Sequence, residues 1–223
     1  MNLKRLLTPL ILGSALLLQG CTPDEIEITV YSSDIETASK GEAVEVPATV
    51  RFSMVGKDER GALQQASELA RRWLPAESKI EVTKAQFGDK LIVQTKVPLV
   101  PAAKAQQLIQ SQRPLIYLEV DGGQATLRRT QHLEVLNREL RNINMMLGAT
   151  LPARSTVIAL VGDRPPQAQA VEATAVFVND KAVLHLKEPV VNRRTINIRF
   201  SGQDGSVYKD FERIPPSFRL ITN

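Results

Sequence analysis

The chain has 223 residues, with 28 Lys and Arg against 24 Asp and Glu for a formal charge of +4, and it is 43% hydrophobic but only 4% aromatic. A single cysteine excludes an intramolecular disulfide, and the scarcity of aromatics argues against stacking of sugars or bases, so the core must be built from Val, Leu, Ile and Ala. The basic pairs Arg71-Arg72, Arg128-Arg129 and Arg193-Arg194 are dispersed and read as solvated edges, which points away from nucleic acid as a partner.

Residues 1–20 read as an address. Lys4 and Arg5 precede an apolar run of 13 residues from Leu6 to Leu18. That is too short for the roughly 20 residues a membrane-crossing helix needs and suits the apolar region of a signal peptide, and Pro9 and Gly13 weaken an anchor helix further. Leu18-Gln19-Gly20-Cys21 resembles the lipobox of bacterial lipoproteins, with Gln19 where that family usually has a small residue. The resemblance implies cleavage before Cys21, a diacylglyceryl thioether on its sulfur and an acyl chain such as palmitate on the new amine. Only a thiolate is nucleophilic enough for that lipid transfer, and several acyl chains hold a protein to a bilayer far more firmly than one. Thr22, in place of Asp, implies the periplasmic face of the outer membrane of a Gram-negative cell, with the inner membrane and the cell surface as alternatives. Losing Lys4 and Arg5 lowers the formal balance from +4 to +2.

After a polar spacer, Glu25 to Tyr31 alternates at period 2 and reads as a strand close to the tether. Ser32 to Gly41 reads as a loop. Val44 to Met54 reads as a strand interrupted at Pro47, which lacks an N–H and therefore places the strand at an edge or a bulge. Asp58 caps an expected helix in which Leu63, Ala66, Leu69, Ala70 and Trp73 form one stripe and which Pro75 stops. Trp73 reads as core, with a ligand platform as the alternative. Lys79–Gln86 and Lys90–Pro98 form a hairpin around Phe87-Gly88-Asp89. A weaker helix spans Ala102–Gln112, and a second hairpin turns at Asp121-Gly122-Gly123. The clearest helix is Gln131–Leu147, capped by Thr130 and closed by Gly148. Its Leu133, Leu136, Leu140, Ile143 and Leu147 step by 3 and 4, a seam too short for a coiled coil, so packing on the protein's own sheet is expected.

Beyond Pro152 the chain is β-like: Ser155–Val161, Ala170–Val178, Val183–Leu186 and Thr195–Ser201, with a hairpin at Asn179-Asp180 and an extended arm from Ile214 to Ile221. The expected fold class is α+β, with largely antiparallel sheets, about three helices (58–74, 101–112, 131–147) and a β-rich C-terminal part. Residues 1–20 form the signal peptide and 21–25 the lipidated end and spacer. Residues 26–150 form an α+β sublobe and 151–223 a β-rich sublobe of one continuous body.

A catalytic site needs a nucleophile with a base, a carboxylate pair or a metal cluster. His132 opens a helix, His185 lies in a strand, and neither has a second ligand at i+2 or i+4, so zinc is not expected. Asp34 and Glu36, or Asp58 and Glu59, read as solvated or capping acids. No G-x-S-x-G, S-x-x-K or phosphate loop occurs. No catalytic, metal or cofactor residue is nominated, and the one assigned site is lipidation at Cys21.

Residues 26–223 resemble small uncharacterised lipoproteins of enterobacterial mobile elements, which implies interference with entry by another element or support of a surface complex. The expected function is therefore a non-enzymatic protein-interaction or structural module of the cell envelope, held by its lipid and meeting an envelope protein partner. One alternative is a carrier of lipid or another small ligand, with an apolar cavity between sheet and helices. Another is a hydrolase whose site only folding assembles.

Overall fold

Alternation of apolar and polar residues dominates the chain and produces eleven strands and four helices in the computed structural model, which describes residues 25–53, 61–84, 88–143, 155–163, 169–179, 181–201 and 215–222. In chain order they are β1 (Glu25–Tyr31), α1 (Ser32–Ser39), β2 (Val44–Ser53), α2 (Ala62–Ala70), β3 (Lys79–Thr83), β4 (Lys90–Pro101) and α3 (Ala102–Gln112). There follow β5 (Ile116–Asp121), β6 (Gln124–Arg129), α4 (Gln131–Ile143), β7 (Ser155–Val161), β8 (Gln169–Val178), β9 (Lys181–Pro189), β10 (Thr195–Ser201) and β11 (Ser217–Thr222).

The strands are ordered β10-β7-β1-β2-β4-β5-β6-β11-β8-β9, and a further pairing of β10 with β8 closes nine of them into a barrel. Most neighbours are antiparallel; β1 with β7, and β4 with β5 across α3, are parallel. Closure falls on β8. Its residues 170–172 lie between β9 and β11, while Phe177 and Val178 lie between β9 and β10, so β11 and β10 share one edge end to end. Ala175 between them has φ +53, and inward-facing positions shift there from odd to even numbers. Strands from both ends of the sequence interleave, with β7 beside β1 and β11 beside β6.

The barrel interior is filled by alternate residues: Ile26, Ile28 and Val30 of β1, Val46 and Ala48 of β2, Val97 and Leu99 of β4, Ile158 and Leu160 of β7, and Ile196, Ile198 and Phe200 of β10. Each such side chain contributes roughly 1.5–3 kcal/mol on burial, enough to stabilise the fold without a disulfide.

The body is α+β and largely antiparallel as expected, but closure into a barrel and a fourth helix depart from the expectation. The fourth is α1, where a loop was expected; its two apolar residues, Ile35 and Ala38, are spaced i and i+3 and both enter the barrel core. Helix α2 covers Ala62–Ala70, shorter than 58–74, because the bonds from Arg72 and Trp73 tighten to i−3 carbonyls before Pro75. Its expected cap Asp58 and neighbour Glu59 lie outside the described residues, as do Phe87, Gly148 and Asp180. Helix α4 is described to Ile143, and Leu147 lies beyond it. Strand β2 has neighbours on both sides and no bulge at Pro47, but its ladder to β1 ends at Ala48, so at Pro47 itself the strand pairs only with β4 and presents a local edge where the missing donor is tolerated.

Candidate functional site

Strand β4 is twelve residues long and outruns the barrel. Its Leu99–Pro101 pair with β5 in the barrel wall, whereas its Lys90–Gln94 pair with β3, which hangs outside the ring. Strand β2 runs alongside Lys90–Leu99, and the described part of β1 begins level with Arg51. The apolar face that fills the barrel therefore continues past its rim, as Val50 and Phe52 of β2 and Leu91 and Val93 of β4. Helices α2 and α4 cover this extension with Leu63, Ala66, Leu69, Leu136 and Leu140 in a second apolar cluster.

The cover leaves a cleft of about 340 Å³ between sheet and helices. Ile26, Val50, Phe52, Leu91 and Val93 line it from the sheet, Leu63, Ala66 and Ala70 from α2, and Leu133, Leu136 and Leu140 from α4. Among the described residues no strand is paired with Thr95–Pro98 on the edge that β3 and β5 share, so the cleft also borders a window in the sheet. Across it run Gln112 to Ile116, and Thr95, Lys96 and Arg113 add polar groups to the lining.

Among the described residues, the charged groups lining this cleft are the cations Arg72, Lys96 and Arg113 and the carboxylate Glu45. The Lys96 ammonium is shared between Glu45 at 3.5 Å and Glu77 at 3.7 Å. Among the described residues neither Arg72 nor Arg113 has an ion-pair partner. Arg113 closes α3 with φ +54, a left-handed conformation that favours glycine. The rim is braced at two points. Trp73 donates its indole N–H to Glu139 Oε2 at 3.0 Å, tying the α2–β3 turn to α4. The Thr130 hydroxyl donates to the Pro114 carbonyl at 2.6 Å and accepts from the His132 N–H at 3.2 Å, so one side chain caps α4 and holds the segment carrying Arg113.

A polar cluster anchors α1 to the end of β7. The Asp163 carboxylate accepts from Ser32 Oγ at 2.8 Å, from the Ser33 N–H at 3.1 Å and from Ser33 Oγ. Partial burial pushes the Asp163 pKa upward, and the hydrogen bonds from the two serines outweigh it, holding the carboxyl below its ordinary range. Asp34 moves the other way. Burial raises it, with a further push from Asp163, although its carboxylate accepts the Tyr31 N–H at 2.9 Å. Glu36 accepts from the buried Gln169 side chain. Asp34 and Glu36 therefore tie α1 to Tyr31 and Gln169.

His132 is half-buried at the start of α4 and His185 is exposed on β9, paired with Thr174. Among the described residues no three of His, Cys, Asp and Glu gather as metal ligands. Arg128 is bound to Glu119 at 3.0 Å. Trp73 is half-buried, belongs to the second apolar cluster and also lines the cleft. Cys21 lies outside the described residues. Sequence reasoning singled out the α2 and α4 stripes but not Arg113, Thr95 or Ile26 as lining residues. The Arg113-Pro114 step, which disfavours continuation of a helix, was the one local signal. Neither a scan against protein-family models nor a search of curated proteins finds a match to this chain.

Proposed function

We propose that this protein is a lipid-tethered envelope lipoprotein, anchored through Cys21 at the periplasmic face of the outer membrane, whose barrel carries a binding cleft for one acyl chain of an anionic amphiphile. The observation that carries this reading is the cleft between sheet and helices, lined by aliphatic side chains and rimmed by Arg72, Lys96 and Arg113. Its volume of about 340 Å³ falls at the small end of the ~300–1,000 Å³ of ligand pockets, which suits a single chain. The apolar wall supplies affinity, Arg72 and Arg113, which have no ion-pair partner among the described residues, supply attraction for a carboxylate or phosphate head, and no covalent chemistry is required. The role is binding, not catalysis.

The test uses the unlipidated Cys21→Ser protein titrated with dansyl-undecanoic acid. A saturable rise in emission is expected, and Ala66→Trp, which fills the cleft from the small-residue face of α2, should weaken binding by at least about tenfold, or about 1.4 kcal/mol, with the fold intact by circular dichroism. Binding unaffected by the filled cleft, or no binding at all, would remove the reading.

A second reading, docking of an envelope protein, is favoured by β9. Among the described residues it pairs only with β8, and its Leu184 is 85% exposed, so a partner strand can add to this edge. Photocrosslinking from position 184 in intact cells tests it; a discrete adduct supports the reading, and a monomer with no adduct opposes it.

A further inference from the structure

We infer that the occupant of the cleft is an acyl chain carried by the protein's own Cys21. The inference rests on the amphiphile-binding reading of the same cleft and names its ligand as one supplied in cis. Ile26 faces the barrel interior and also lines the cleft, and it pairs with Val50, another lining residue. The described chain begins one residue earlier, at Glu25, which pairs with Arg51, so its described start adjoins the lining residues Ile26, Val50 and Phe52. Ile26 lies five residue steps after Cys21. At ~3.3–3.6 Å per residue they span at most about 18 Å, and the acyl chain adds its own length.

A chain delivered on so short a tether has a local concentration near millimolar. It therefore outcompetes free amphiphiles, whose supply in an aqueous compartment is small. The cleft has room for one chain, whereas a mature lipoprotein carries three. Holding one withdraws its contribution of about 0.8 kcal/mol per methylene from the anchor while the other two remain in the bilayer, enough for stable attachment. The same arrangement holds the cleft, and with it the Arg72 and Arg113 rim, close against the bilayer surface, where anionic head groups meet those cations.

The experiment feeds a diazirine-bearing fatty acid to cells expressing the full chain, irradiates them and maps the products by mass spectrometry. The expected product is an intramolecular crosslink, at monomer mass, joining the lipidated Cys21 peptide to peptides of α2 (62–70) or α4 (131–143). It should disappear in Ala66→Trp while the lipid label remains. Crosslinks from the Cys21 chain only to membrane lipid would overturn the inference, and so would absence of acyl label on Cys21. Ligand exchange separates that failure from failure of the broader reading. Cys21→Ser protein should bind dansyl-undecanoic acid at least about tenfold more tightly than the lipidated protein in lipid nanodiscs, because a tethered chain competes at millimolar concentration. Equal binding by both forms overturns cis occupancy and leaves an open carrier cleft. No binding by either overturns both.

Discussion

Arg113 holds a backbone conformation that an arginine adopts only at a cost. Its φ of +54 at the end of α3 suits glycine, which ends many helices because it has no Cβ to clash there. Pro114 follows immediately, disfavouring helical continuation, and the guanidinium lines the cleft rim. Strain of this kind is kept where a side chain is needed. Arg113→Gly should therefore raise stability by about 0.5–1 kcal/mol, a gain of about 1–4 °C in melting temperature for a domain of this size. It should at the same time weaken binding of dansyl-undecanoic acid to the Cys21→Ser protein, measured by the same titration. Opposite movements of stability and affinity are the expected signature; a parallel loss of both would mean that the arginine serves the fold alone. The residue types on the rim were visible in the chain, but its geometry was not, because a left-handed φ leaves no trace in a sequence when the residue is not Gly or Asn.

Helix α1 shows how an element can be hidden. Ser32–Ser39 offers a single pair of apolar residues, Ile35 and Ala38, too few to establish a helical period, and its serines and acids fit a loop equally well. What stabilises it comes from elsewhere: Asp163, at the end of β7 and some 130 positions away, bonds the first turn through its carboxylate. An anion at that end also meets the positive pole of the helix. Asp163→Asn should lower stability by about 1 kcal/mol, a figure already reduced for solvent screening of an exposed carboxylate. The pH dependence follows from linkage. Because the folded-state pKa of Asp163 lies below its unfolded value, the unfolded chain takes up the proton first as pH falls. The contribution is complete above the ordinary carboxylate range of about 4 and is lost as pH drops through the lower folded value. Asp34, raised by burial, contributes with the opposite sign, favouring the folded state when protonated and weakening it as pH rises through its folded value. Urea midpoints measured at descending pH should fall less steeply in Asp163→Asn than in the wild type; identical slopes would exclude Asp163 as their source. By contrast α4 was legible almost in full, since a Thr cap and a 3-4 stripe are local features, and Thr130 caps it as expected.

At the scale of the whole molecule, stability and site depend on the same long-range pairing. The ring closes through two residue pairs between β10 and β8, Ile198 with Val178 and Arg199 with Phe177, where the Arg199 guanidinium also lies over the Phe177 ring at 5.3 Å. Phe200, next along β10, is among the largest fully buried side chains and faces the common core. Phe200→Ala should cost about 3–5 kcal/mol, read as a lowered denaturant midpoint. Because the cleft is the continuation of the barrel's inner face, a less stable barrel should also release bound dansyl-undecanoic acid at lower denaturant. A loss below about 1 kcal/mol would mean that the closure region is not part of the cooperative core.

The chain by itself determined its strand-rich character, the β5–β6 hairpin and the antiparallel pairing of β8 with β9, helices α3 and α4, and a core of aliphatic residues without disulfides. These follow from periodicity, turn chemistry and caps that act within about ten residues, so the information lies next to the structure it specifies. Tertiary structure alone decided that β1 lies between β2 and β7, that β8 closes the ring, that α1 is a helix, and that β2 and β4 outrun the barrel and form a cleft with α2 and α4. Each depends on partners such as Ile26 and Thr156, about 130 positions apart. No local pattern records which strand an apolar edge will meet, because every alternating strand offers the same hydrogen-bonding backbone and the choice is made by the packing of the whole interior.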